Sequence, residues 1–269
     1  MSRVTPFLWY GGKSGMIKDI LPLMPPHHTY VEPFGGSAAV LIAKPISPVE
    51  IFNELDSRLC RYFRTIKEPA KARVVRHHLE LTPYSRTVYD DYAKRIDSIT
   101  DEIEFAVAFT ILGNQSRNGI LGSGWKRSKL RNCARPYFNA LEMIETVVRR
   151  FRNVQVDNQD YKKLLKRLDS LLTLFFLDPP YPWDVRVTPN AYRHEMSLDD
   201  HREMLALIKQ VKGMVMLCGF RHPLYDEALA DWERHEFPRY CKSASTGSGD
   251  KYRTEIIWLN PRAAEARPR

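Results

Sequence analysis

Cysteine is scarce and scattered in this chain of 269 residues: Cys60, Cys133, Cys218 and Cys241 include no CxxC pair. That spacing argues against a zinc site or a disulfide framework and fits a reducing compartment. Long hydrophobic runs are missing too. The apolar stretches stop near strand length and no charged–apolar–small leader opens the sequence, so a cytoplasmic chain with no membrane partner is expected. WYGGKSG at 9–15 ends like a phosphate-binding loop in Gly12-Lys13-Ser14, but the glycine such a loop needs five positions earlier is Phe7, and no strand precedes it. His27, His28, His77 and His78 stand in adjacent pairs, which cannot put two ligands on one helix face, so no metal is expected. Acid is also in short supply. Asp and Glu number 32 against 41 Lys and Arg, a net charge of +9 that favours a polyanionic partner.

What is present has the make-up of a folded α/β protein, with 43% hydrophobic and 27% charged residues. The opening third alternates a helical KSGMIKDIL, an extended TYVEPF, a helical SAAVLIA, an extended VEIFNEL and the amphipathic SRLCRYFRTIK. The last third alternates likewise: NVQVDN, YKKLLKRL, LLTLFFL, LDDHREMLALIKQV, GMVMLCGF, PLYDEALADW and TEIIWLN. That alternation predicts a doubly wound, mostly parallel sheet with helices on both faces. Between the thirds the pattern turns helical, in AKARVVRHHLEL, DEIEFAVAFTIL and YFNALEMIETVVRRF. The expected organisation is a discontinuous domain of residues 1–67 and 153–262, a helical insert at 68–152 and a tail at 263–269. SASTGSGDK at 243–251 reads as a mobile loop.

Three stretches carry chemistry. LDPPYPW at 177–183 closes the apolar run LLTLFF with residues that suit neither strand nor helix, so Asp178, Pro179, Pro180 and Tyr181 should form a stiff shelf just past a strand end. In YVEPFGGSAAV a strand runs into the Gly35-Gly36 turn, which is not GxGxxG but sits where a ligand meets a sheet's carboxyl end. Glu54 follows about 20 residues on, placed to accept both hydroxyls of a ribose. Glu32 can hold a cationic amino group of the same nucleoside-bearing ligand, and Trp9 or Tyr10 with Lys13 can flank it. The third stretch is GNQSRNGILGSGWKRSKLRNCAR at 113–135, with Arg117, Lys126, Arg127, Lys129, Arg131 and Arg135 and no acid. Its interleaved Asn118, glycines and Trp125 suit a loop that tracks phosphates and probes a groove.

FLWYGGK, YVEPFGGSAAV, FNELDSRLCRYFRTIK, LDPPY and TEIIWLN, in that order, resemble the Dam-type (class α) adenine-specific DNA methyltransferases, over nearly the whole chain. The resemblance implies a Rossmann-like methyltransferase sheet with a helical target-recognition insert, S-adenosylmethionine as cofactor and double-stranded DNA as partner; a monomer is expected because one flipped base needs one pocket. It implies that Trp9 and Lys13 touch the cofactor. Glu32, Gly35 and Gly36 would line its methionine side, Glu54 would hold its ribose with Asp56 as the fallback, and Asp178 would face the transfer site. Members more often have Asp where this chain has Glu54. The basic stretch, with Arg117, Asn118, Lys126, Arg127, Lys129 and Arg131, falls where the family keeps its DNA-recognition hairpin.

The shelf suits this reaction. If Asp178 and the Pro179 carbonyl each accept one hydrogen of an adenine amine, they favour the pyramidal nitrogen that can attack a methyl group, while Tyr181 stacks on the extruded base. No cysteine nucleophile is needed, and the absence of a Pro-Cys dipeptide disfavours cytosine-C5 chemistry. Methylation of cytosine N4 or of RNA, and a non-catalytic DNA-binding module on the same fold, are the alternatives.

Overall fold

The structure, a computed structural model, describes residues 4–186, 188, 191–240 and 252–267. Cys241 and the expected loop at 243–251 lie outside them, as do the last two residues of the tail.

In chain order the first elements are α1 (Ile17–Ile20), β1 (Thr29–Glu32), α2 (Ala39–Ala43), β2 (Val49–Asn53), α3 (Ser57–Ile66), α4 (Pro69–Leu81) and α5 (Arg86–Arg95). There follow α6 (Glu102–Gln115), α7 (Ala134–Leu141), α8 (Met143–Phe151), β3 (Gln155–Asp157), α9 (Tyr161–Leu168) and β4 (Thr173–Leu177). The chain closes with α10 (Leu198–Ile208), β5 (Met214–Phe220), α11 (Pro223–Ala228), β6 (Glu233–Tyr240), β7 (Tyr252–Leu259) and α12 (Pro261–Ala266). Seven strands form one sheet in the order β3-β2-β1-β4-β5-β7-β6. β1 pairs parallel with β2 and β4, and β4 with β5, while β7 and β6 close the edge antiparallel. The expected α/β class and mostly parallel sheet are therefore present.

The chain divides into two compact units, one of Met1–Ile17, Gly36–Lys44 and Asp56–Asp157, the other of Lys18–Gly35, Pro45–Leu55 and Asn158–Arg269. The first is helical and reaches beyond 68–152 to take in α2 and α3. Its centre is α6, where every residue from Phe105 to Gln115 is buried; a helix apolar all round belongs inside a core. Against it pack α3, with Leu59, Tyr62, Phe63 and Ile66 on one buried face, and the N-terminal arm, whose Phe7 ring meets Tyr62 and Phe109 edge to face at 5.0 and 5.1 Å. α5 has one buried residue, Tyr89, and carries i,i+4 ion pairs Arg86–Asp90 and Arg95–Asp91 on its solvent side.

The second unit is the sheet and its covering helices. Thr173–Leu177 is buried at every position, as a central parallel strand covered on both faces must be. The core there joins Val31, Phe175, Leu177, Val215, Leu217 and Trp258. β6, absent from the sequence-based expectation, reads ERHEFPRY. Its charges and Pro238 suit the edge position it occupies.

Candidate active site

In the sheet unit the chain order reverses between β1 and β4, and ligands of open α/β sheets gather beyond the carboxyl ends of strands at such a point. Glu32 ends β1, Glu54 directly follows β2 and Asp178 directly follows β4. The register pairs Glu32 with Phe52 and Val31 with Phe175, so these three acids close three adjacent parallel strands at the same end. Sequence reasoning named all three, and the sheet brings them together.

Each strand end is held in its own way. Glu32 is buried and accepts the Tyr30 hydroxyl at 2.7 Å. Burial, then the charge of Glu32, push the Tyr30 pKa well above the usual phenol value, so that hydroxyl is a permanent donor. Beyond β2, the Asn53 side chain donates to the carbonyls of Pro33 (2.8 Å) and Gln159 (3.0 Å) and accepts from the Gln159 amide (2.9 Å). The Gly35 amide donates to the Asn53 carbonyl at 2.8 Å, and Asn158 donates to the carbonyls of Glu54 (2.6 Å) and Leu55 (3.1 Å). These bonds stitch the turn after β1, the turn after β2 and the segment before α9 into one rim. Gly35 is required by packing: a Cβ there would lie 2.2 Å from the Phe52 ring.

Beyond β4, Pro179 is buried and Asp178 half-buried. Tyr181 is 7% exposed, its ring edge on to Phe220 at 4.7 Å and its hydroxyl donating to Glu255 Oε2 at 2.8 Å. Burial above all, then the charges of Asp178 and Glu255, raise its pKa well beyond the usual range. The chain continues into a 3-10 turn at Trp183–Val185, fixed by Arg253 donating to the Val185 carbonyl at 2.7 Å and by Asp184 beside His222 at 3.2 Å. Both ends of the Asp178–Tyr181 segment are thus anchored, one by β4 and one by β5, β7 and α11. Deeper in this unit His201 is buried, with its Nδ1 2.9 Å from the Tyr225 hydroxyl. Burial first, then the nearby His222, lower its pKa to about 4.

In the helical unit Trp9 stacks on Phe109 with ring centroids 6.2 Å apart, and Lys13 is buried with its ammonium on the Gly11 carbonyl at 3.0 Å. Gly36 has φ of +48°, and a Cβ there would meet the Trp9 indole at 3.1 Å. Asp56 caps α3: it accepts the Arg58 amide at 3.0 Å and pairs with the Arg58 guanidinium at 2.7 Å, so both its oxygens serve the helix start.

The basic stretch forms a hairpin. Ser116 and Trp125 make an antiparallel bridge, with Arg117 N donating to the Gly124 carbonyl at 3.2 Å and Lys126 N to that of Gln115 at 2.7 Å. Left-handed Asn118, Gly119, Gly122 and Gly124 turn the chain. Tyr89 and Tyr84 brace it, donating or accepting at Ser116, Gly124 and Lys126. Arg117, Asn118, Arg127, Lys129 and Arg131 are exposed and Lys126 is half-buried. Sequence reasoning missed Tyr30, Asn53, Asn158 and Glu255. Asn53 stands next to Glu54, which had been singled out, but its partners Pro33 and Gln159 and those of Asn158 are distant in sequence.

A model of the D12 class N6 adenine-specific DNA methyltransferases matches residues 9–215. The chain is 22% identical over 262 residues to the DNA N-6-adenine-methyltransferase of Escherichia phage P1. The match covers 91% of this chain and 33% of that protein, so the chain spans about a third of its relative's length. Among solved structures, the rRNA methyltransferase aviRa from Streptomyces viridochromogenes aligns over 95% of this chain and 86% of its own, with a TM-score of 0.35 and 11% identity.

Proposed function

The chain belongs to the D12 class of N6 adenine-specific DNA methyltransferases, and from that premise we propose that it methylates the exocyclic N6 amine of adenine in duplex DNA, with S-adenosylmethionine as donor. One observation carries the reading: Glu54, Glu32 and Asp178 end three adjacent parallel strands at the order reversal of the sheet. That donor set fits S-adenosylmethionine, which has a ribose diol to be accepted by Glu54 and an amino group to be met by Glu32. When bound, the cofactor supplies a methyl group on a positively charged sulfur. Trp9, Lys13 and Gly36 carry over as cofactor contacts from the family resemblance alone.

The chain's own work is on the amine. The adenine N6 lone pair is delocalised into the ring, which makes it a poor nucleophile. The Asp178 carboxylate accepts one N6 hydrogen and the Pro179 carbonyl the other, drawing the nitrogen towards a pyramidal form whose lone pair is available. Alignment of this kind demands positions held to about 0.5 Å, which the two prolines and the Tyr181–Glu255 bond support. Tyr181 offers a ring to the extruded base, and Asp178 is the first acceptor for the proton that N6 sheds. Extrusion costs a few kcal/mol, which the phosphate contacts of Arg117, Lys126, Arg127, Lys129 and Arg131, with Asn118, help to meet.

The test is transfer of labelled methyl from S-adenosylmethionine to mixed-sequence duplex DNA, followed by digestion to nucleosides. Label in N6-methyladenine is expected. Label in N4-methylcytosine, or in RNA alone, would replace the proposal.

A further inference from the structure

His222, in the sheet unit, makes two bonds at once. At the start of α11 its Nδ1 accepts the Leu224 amide at 3.1 Å, and its Nε2 lies 3.2 Å from Oδ2 of Asp184. A backbone N–H can only donate, so Nδ1 carries no proton, and the neutral ring holds its one hydrogen on Nε2 and donates it to Asp184. The ring is buried and stands edge to face with Tyr225, centroids 6.4 Å apart, so packing and both bonds fix one orientation. A helix cap alone gives no reason for an imidazole. Serine caps as well, but its side chain has no second end with which to reach a residue 38 positions away.

What that second end holds is the far side of the shelf. Asp184 lies six residues beyond Asp178, and Pro179, Pro180 and Pro182 fix φ at three of the five positions between them. A segment with so few soft dihedrals passes a displacement at Asp184 back to the Pro179 carbonyl and the Asp178 carboxylate. The end of β5 grips this segment twice: the Phe220 ring lies edge on to Tyr181 at 4.7 Å and, two residues later, His222 holds Asp184. Resting on the methyltransferase reading above, we propose that His222 is a positioning residue for methyl transfer, whose Nε2–H bond to Asp184 sets where the Asp178 and Pro179 acceptors stand while its Nδ1 bond starts α11. Its effect reaches the amine through the shelf and not by contact.

The two bonds can be separated. His222→Ser keeps an acceptor for the Leu224 amide and loses the bond to Asp184, whereas His222→Ala loses both. The experiment measures Tm, affinity for S-adenosylmethionine by calorimetry, and single-turnover transfer of labelled methyl at saturating mixed-sequence duplex DNA. A misplacement of about 1 Å costs about 10²-fold in rate; with Arg253 still holding the Val185 carbonyl, the serine variant should lose roughly tenfold. Its Tm and cofactor affinity should stay as in wild type, and the alanine variant should add a lower Tm with no further loss of rate. Asp184→Ala should slow transfer as much as His222→Ser does, and the double change no more than either, because each removes the same bond. Asp184→Asn still offers an oxygen to the Nε2 hydrogen and should transfer faster than Asp184→Ala. A serine variant at the wild-type rate would overturn the proposal and leave His222 a helix cap only, with the methyltransferase reading intact. Losses that multiply in the double variant would overturn it too, by showing that the two residues act separately. No transfer by the wild type would instead bring down the methyltransferase reading, and the positioning role with it.

Discussion

Asn53→Ala removes three hydrogen bonds at once, one buried and two part-buried: the donations to Pro33 and Gln159 at 2.8 and 3.0 Å, and the acceptance from the Gln159 amide at 2.9 Å. At about 1 kcal/mol net for each, the loss is about 3 kcal/mol. It rises to about 5 if the abandoned Pro33 carbonyl finds no water, since an unsatisfied buried group costs about 1–3 kcal/mol. For a chain of this size each kcal/mol lowers Tm by about 2–4 °C, so a fall of about 6–12 °C is expected in scanning calorimetry, with urea titration at 25 °C giving the free energy directly. Asn53→Asp sharpens the test. It keeps an acceptor for the Gln159 amide but turns a carboxylate towards two carbonyl oxygens, so it should lose at least as much as alanine. The rim also carries Glu54, so cofactor affinity should weaken in both variants. A loss below about 1 kcal/mol for alanine, or an aspartate variant as stable as wild type, would refute the stitching role assigned to Asn53.

Tyr181→Phe keeps the ring on Phe220 but deletes the bond to the Glu255 carboxylate, so stability should drop by about 1.5–3 kcal/mol, as for hydrogen bonds to charged groups; chemical denaturation at pH 7.5 checks it. His201 titrates near 4 in the fold and near 6.5 unfolded, so the unfolded chain takes up the proton first as pH falls. Its contribution is whole above pH 6.5 and is lost towards pH 4, by at most about 3 kcal/mol. His201→Phe should accordingly flatten the stability profile between those limits; identical slopes in variant and wild type would show that His201 is not the group responsible.

Much of the site is legible in the linear sequence because it lies where strands end. LLTLFFLDPPYPW announces a buried strand and a stop, and TYVEPFGG and VEIFNEL do the same for β1 and β2. What the sequence hides is who touches whom. Asn53 matters through Gln159, 106 residues away, and Tyr181 through Glu255, 74 residues away, and no local pattern encodes either pairing. β6 was hidden for a related reason: ERHEFPRY has little β character alone and becomes a strand by pairing with β7. α5 is too polar for an apolar stripe to reveal it. YFNALEMIETVVRRF reads as one helical pattern, yet the chain breaks it into α7 and α8 at Glu142. The glycine at 35 was legible as a turn residue, but its cause, the Phe52 ring, appears only once β1 and β2 are paired.

The proposed reaction requires Asp178 to act on the amine and not merely to shape the pocket. The direct measurement is single-turnover methyl transfer by Asp178→Asn on duplex DNA, beside calorimetric titration of the same protein with S-adenosylmethionine. The asparagine preserves shape and removes the charge that accepts the N6 hydrogen. Cofactor affinity should stay within roughly threefold of wild type while transfer falls by about 10²–10³, the scale of losing one preorganised partner of the reacting group. Transfer within about tenfold of wild type, with the cofactor still bound, would contradict the role given to Asp178.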